Sequence, residues 1–123
     1  MIWRIYDAFI SDPLIVEKVV EDGIKFYEYP PTGDVSGLYI VIASLDVPKP
    51  SDYADNKWLT KDYLYQIEAW SKVEADTKVV AEKIEKIMWE QFGFFQNGGI
   101  DEYDQDTGIY RDARRYRGKQ YVI

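Results

Sequence analysis

A strand-like alternation that runs without a break into a helix-like stripe constrains this chain more than any other feature. From Lys61 to Trp70, Tyr63, Tyr65, Ile67 and Ala69 fall on one side of an extended backbone. Leu64, Gln66, Glu68 and Trp70 fall on the other, because successive side chains of a strand point to opposite faces. Ser71-Lys72-Val73-Glu74 follows with capping-box spacing, which predicts Ser71 as an N-cap. Val80, Ala81, Ile84, Ile87 and Met88 then recur at helical period, with Glu82, Lys83, Glu85 and Lys86 between them. Gly93 supplies the stop. A half-buried strand feeding an amphipathic helix has to share one apolar layer with it, which means a sheet covered by helices on one face.

The remaining segments fit that layer. Ile2, Ile5, Tyr6 and Phe9 recur at three and four, the spacing of a short amphipathic helix. Asp12 and Pro13 have the chemistry of an N-cap and a first helical residue. Leu14, Ile15, Val19 and Val20 extend that apolar face as far as Gly23. Ile24 to Tyr29 reads as a strand ended by Pro30-Pro31, and Thr32 to Gly37 as a turn-rich loop. Leu38 to Ala43 is almost wholly apolar and reads as a central strand. The stretch from Ser44 to about Thr60 holds Pro48, Pro50, Tyr53 and Trp58. At that length it is expected to be a long loop, functional or mobile. A C-terminal hairpin at about 99–117 follows Gly98-Gly99, with strands Ile100–Asp104 and Ile109–Arg117 around Gln105-Asp106-Thr107-Gly108. With 46% of residues hydrophobic there is enough apolar material for a core. The expectation is an α+β fold over residues 1–123 as a single domain. Its mostly antiparallel sheet has four to five strands, with two main helices packed on one face.

Two missing residue types narrow the chemistry. Without cysteine there is no disulfide, thiolate metal site or thiol nucleophile. Without histidine, the usual neutral-pH general base and the commonest transition-metal ligand are gone. Carboxylate, lysine or tyrosine chemistry remains, and no pair of carboxylates is marked as sharing a cleft. Asp104 and Asp106 have the first spacing of a calcium loop, but Gly108, Ile109 and Arg115 stand at later positions where that loop needs other residues. No catalytic, cofactor or metal residue is therefore assigned. No run approaches the ~20 apolar residues of a membrane helix, and Met1–Asp7 lacks the zones of a signal peptide, so a cytosolic start is expected.

Charge is distributed unevenly. The formal net charge is −7, which opposes a general attraction to nucleic acid or anionic membrane. Ile109 to Ile123 nevertheless holds Arg111, Arg114, Arg115, Arg117 and Lys119 against Asp112 alone. Strand alternation sets Arg111, Ala113, Arg115 and Arg117 on one face and Tyr110, Asp112, Arg114 and Tyr116 on the other. Pairing with Asp101, Glu102 and Asp104 is expected to consume much of the positive charge. Two uses compete for the rest: a protein interface, or a nucleic-acid or small-ligand surface. Tyr53 and Trp58, set in a polar connection, are candidate contact anchors beside Arg111, Arg114, Arg115 and Arg117.

The order of landmarks then points to a family. A short helix leads into Asp12-Pro13-Leu14, Val20-Glu21-Asp22-Gly23-Ile24-Lys25-Phe26-Tyr27 and Pro30-Pro31. Tyr39-Ile40-Val41-Ile42 follows, and then Tyr65-Gln66-Ile67-Glu68-Ala69-Trp70-Ser71 running into the helix around Ala81 and Ile84. Over roughly residues 2 to 90 this resembles the tail-completion, or head-to-tail joining, proteins of long-tailed phages and prophages. The Ser44–Thr60 stretch and the basic C-terminal hairpin depart from that pattern. The resemblance implies a subunit without catalytic residues or cofactor that forms a ring, typically hexameric. Such a ring caps the tail tube and docks it to the head connector or stopper, with DNA only as passing cargo and no membrane partner. It would be assembled in the host cytoplasm and end in the virion neck.

Overall fold

The computed structural model describes residues 1–27 and 37–121. Its axis is β4 (Lys57–Ser71), 15 residues long, or about 50 Å at the usual rise per residue. Along one edge β4 pairs antiparallel with β6 (Ile109–Tyr121), from Thr60–Tyr121 to Ser71–Tyr110. Its other edge is shared. The C-terminal half takes β2 (Leu38–Ser44), and the N-terminal half takes β3 (Lys49–Ala54), both antiparallel. β1 (Val19–Phe26) lies parallel to β2 at one side of the sheet, and β5 (Phe95–Asp104) pairs with β6 at the other. Among the described residues the sheet has six strands, in the order β1-β2-β4-β6-β5 with β3 beside β4. It is mostly antiparallel, with helices α1 (Ile2–Ile10), α2 (Pro13–Lys18) and α3 (Glu74–Phe92) packed against it. The α+β class is as expected, and the strand beyond the expected five is β3.

Alternation decides which face carries the core. Tyr65, Ile67 and Ala69 of β4 and Ile40 and Ile42 of β2 are buried under α3, whose Val80, Ala81, Ile84, Ile87 and Met88 form the opposing stripe. Ile5 and Phe9 of α1 and Ile15 of α2 complete the layer. Phe94, fully buried, lies beside Tyr63 and Tyr65 at ring-centre distances of 6.3 and 6.1 Å. It fits there because Gly118 lies beneath it; any Cβ at that position would overlap the ring. Gly93 closes α3 in the left-handed region at φ 70°, as its place after the apolar stripe required.

Several boundaries differ from the pattern reading. Asp12 does cap α2, accepting hydrogen bonds from the Leu14 and Ile15 amides, but the helix ends at Lys18. Val19 and Val20 are β-branched and extended, and Val19 pairs with Leu38, so sheet pairing overrides the apolar face they would have continued. Ser71 is not the N-cap of α3. That position is Val73, while the Ser71 hydroxyl accepts the Val73 amide and lies 2.6 Å from Thr77 Oγ1. Gly98-Gly99 does not open the hairpin either. β5 begins at Phe95 and shifts register across this pair, and β6 runs on to Tyr121. Tyr29, Pro30-Pro31 and nearly all of the expected Thr32–Gly37 loop lie outside the described residues.

The largest difference lies between Ser44 and Thr60. In place of a long loop, β3 and β4 form a tight hairpin joined by Asp55 and Asn56. Both have positive φ, 51° and 61°, which is the type I′ geometry whose twist suits two-residue hairpins. Asp-Asn in place of the commoner Asn-Gly or Asp-Gly hid the turn, and Pro50 obscured an edge strand that can carry a proline.

Candidate assembly surfaces

The β3–β4 hairpin and the end of β6 form an arm that projects beyond the helix-covered part of the sheet. Tyr53 and Trp58, 68% and 46% exposed, face each other across it as a cross-strand pair. Val47, Leu59 and Tyr121 add exposed apolar surface. The arm is held in shape by Asp52, whose carboxylate accepts hydrogen bonds from Thr60 Oγ1 at 2.6 Å and Lys119 Nζ at 3.2 Å. These donors hold the Asp52 carboxyl below the usual range, the threonine first. Asp52 itself has φ 54°, a backbone kink that sends its side chain to both partners.

The arginines of β6 divide as alternation required. Arg114 faces the helices. It is bonded to Asp112 and reaches Glu85 of α3 at 3.1 Å. Asp112, 3% exposed, also receives Lys78 of α3 at 2.9 Å, and Lys78 reaches Asp101 of β5 at 2.8 Å. Burial alone would lower the lysine's pKa, but these two carboxylates outweigh it and raise it. This network ties α3 to both strands of the C-terminal hairpin, so Arg114 is engaged within the fold.

Arg111, Arg115 and Arg117 point to the opposite face. Arg111 Nε donates to Glu68, its guanidinium lies over the Trp70 ring at 5.6 Å, and Glu102 is 3.5 Å away. Glu68 is 1% exposed, and burial would push its carboxyl up. Hydrogen bonds from Arg111, Gln66 and Trp70 outweigh that and leave it below the usual range. Arg115 is exposed and donates to Gln66 Oε1 at 3.3 Å. Arg117 meets Asp62 only at 3.9 Å, and its Nε has no hydrogen-bond partner among the described residues. The Glu68–Arg111–Trp70 cluster was not singled out from sequence. Its signal was a lone carboxylate inside the otherwise apolar Ile67–Trp70 run.

Among the described residues no group of three or more carboxylates is placed to hold a metal ion. Asp104 Oδ1 accepts the Asp106 amide at 3.0 Å, an Asx-type turn at the hairpin tip. A groove of about 800 Å³ between α1, α2 and β1 is lined by Phe9, Ile10, Ile15, Val16, Val19 and Phe26 among others. Among the described residues no helix is long and apolar enough to cross a membrane.

Among the described residues, a six-stranded, mostly antiparallel sheet with helices on one face, extended by an aromatic arm, defines the fold as α+β. No known protein family and no curated protein matches the chain in sequence. In structure it is similar to a chain solved as "Virion of native gene transfer agent (GTA) particle", with a TM-score of 0.64 and 13% identity. The likeness covers 96% of this chain and 92% of that one, so the fold is shared over nearly the full length of both.

Proposed function

We propose that this chain is a structural subunit of a phage-like virion that acts through contacts and performs no catalysis. More specifically, it is a neck component that completes the tail and joins it to the head connector or stopper. As one domain it forms a ring with copies of itself, hexameric in the assembled particle. It is assembled in the host cytoplasm and carried in the virion, with DNA only passing through. The observation that carries this reading is the near end-to-end fold likeness to a chain of a virion particle. The tail-completion resemblance in the order of sequence landmarks agrees with it. So does the surface: two sheet edges at β1 and β5, and an arm presenting Tyr53 and Trp58, are features suited to contact between subunits.

The test is native mass spectrometry and electron microscopy of the chain with its cognate tail tubes. Ring-sized assemblies capping the tube are the expected result. A strict monomer that ignores tail tubes at high concentration would remove the proposal.

The competing reading, a nucleic-acid or small-ligand module on the basic strand, is less well supported. Arg114 is engaged with Asp112 and Glu85, and Arg111 with Glu68 and Glu102. Salt-dependent retention on DNA that disappears in an Arg114→Ala/Arg115→Ala variant would favour it.

A further inference from the structure

The C-terminal hairpin keeps opposite charges at two places that cannot meet within one molecule. At its tip, Asp104 and Asp106 are exposed and make no ion pair among the described residues. Tyr103 beside them is half exposed and packs on Tyr110 at a ring-centre distance of 4.5 Å. Further along β6, on the face away from the helices, stand Arg115 and Arg117. Among the described residues Arg115 has an amide oxygen as its hydrogen-bond partner, and Arg117 lies 3.9 Å from Asp62 and acts on Asp46 only through its charge, without a closer ion pair. Phe95, half exposed, lies directly across from Arg117 on β5. Arginine beside an exposed aromatic is the composition of a contact centre. From Ile109 to Arg115 and Arg117 the strand climbs six to eight residues, about 20–26 Å. The acids at the tip therefore lie beyond reach of the guanidiniums of their own chain.

We propose that the acidic Asp104–Asp106 tip of one copy docks on the Arg115–Arg117–Phe95 patch of the next. This rests on the ring-assembly reading and names the surfaces that would carry it. The occupant is a second copy because the same strand supplies both halves of the charge pair, and their separation leaves each copy one donor and one acceptor. Such a contact is heterologous, a patch meeting a different patch, which is the kind that propagates into rings. Arg111 and Arg114 take no part, since both are engaged inside the fold.

The test uses two charge-reversed full-length variants, Arg115→Glu/Arg117→Glu and Asp104→Lys/Asp106→Lys, followed by sedimentation equilibrium and native mass spectrometry. Alone, each sets like charges against each other and is expected to lose about tenfold or more in self-association relative to the unmodified chain. Mixed in equal amounts they present tip to patch with opposite signs again, and assemblies larger than two copies, alternating in composition, are expected to return. Circular dichroism melting of each variant separates lost contact from lost folding. Because the chain has no cysteine, Asp106→Cys mixed with Arg115→Cys gives an independent check, and a disulfide between the two variants is expected. Variants that associate like the unmodified chain, mixtures that stay apart, or assemblies that stop at two copies would each overturn the proposal. Failure of the unmodified chain both to associate and to cap tail tubes would count against the ring reading itself. Normal tube capping by both variants would leave that reading standing and remove only this interface.

Discussion

One strand, β4, passes through two regions with opposite uses of the same pleat. In its C-terminal half, Tyr65, Ile67 and Ala69 are buried beneath α3, and even the outward-facing Glu68 is enclosed. In its N-terminal half, Lys57, Trp58 and Leu59 are exposed, and the partner strand β3 is exposed almost throughout. The backbone is paired antiparallel in one register along both, interrupted in the second only at the Asp52 kink. What differs is the layer above: helices cover one half and leave the other bare. Regular structure alone therefore does not tell a core-forming region from a bare one; burial does. Natural sheets seldom leave aromatic edges such as Tyr53 and Trp58 in water unless something covers them, which is why the arm is proposed as a contact surface in its own right.

That contrast can be broken by substitution. Phe94→Ala, in the covered half, empties a fully buried site packed between Tyr63, Tyr65 and Gly118. It should lower unfolding free energy by about 3–5 kcal/mol in urea titration. Asp112→Ala leaves Lys78 and Arg114 without their shared buried carboxylate, and should cost about 3 kcal/mol by the same measurement. If instead either change cost no more than an arm substitution, the division between the two halves would be wrong.

The pH dependence sharpens the same division. The Glu68 carboxyl is held below its ordinary 4.5 in the folded chain. As pH falls the unfolded chain takes up that proton first, so the contribution is present above 4.5 and lost as pH drops through the folded value. At the alkaline end, burial pushes Tyr65 from 10.0 to about 12, and burial raises Tyr116 as well. The unfolded chain there loses its protons first, so stability should decline from pH 10.0 upward. Thermal melts should show a plateau between these limits, and a Tyr65→Phe variant should soften the alkaline decline.

On the arm the expected effects on stability are smaller. Tyr53→Ala/Trp58→Ala should change unfolding free energy by about 1 kcal/mol or less, while reducing co-sedimentation with tail tubes. An unchanged co-sedimentation would take the arm out of the interface. Smallest of all, Asn56→Gly should raise the melting temperature slightly, worth about 0.5 kcal/mol, because glycine adopts positive φ in a type I′ turn without a steric cost.

Much of this was legible from the residues. The alternation of Tyr63, Tyr65, Ile67 and Ala69, the stripe from Val80 to Met88, the Asp12 cap and the Gly93 stop are local patterns, and local stereochemistry enforces them. The opposite facing of Arg114 and Arg115 follows from the same period of two. The candidate site was less legible. Tyr53 and Trp58 stood out as aromatics in a polar stretch, yet nothing local said that they face each other across a hairpin. Asp55-Asn56 is an uncommon turn pair, and Val19-Val20 follow a helical face until a neighbouring strand claims them.

Composition and periodicity by themselves determined an α+β chain without thiol or imidazole chemistry, its main strand and helix, and the faces of β6. Tertiary structure alone decided that β3 joins β4, that Arg114 is held by Asp112 and Glu85 while Arg115 remains exposed, and that Glu68 is buried with Arg111. Those outcomes depend on which distant segments come together, and a side chain's charge becomes engaged or available only when its cross-strand neighbour is in place.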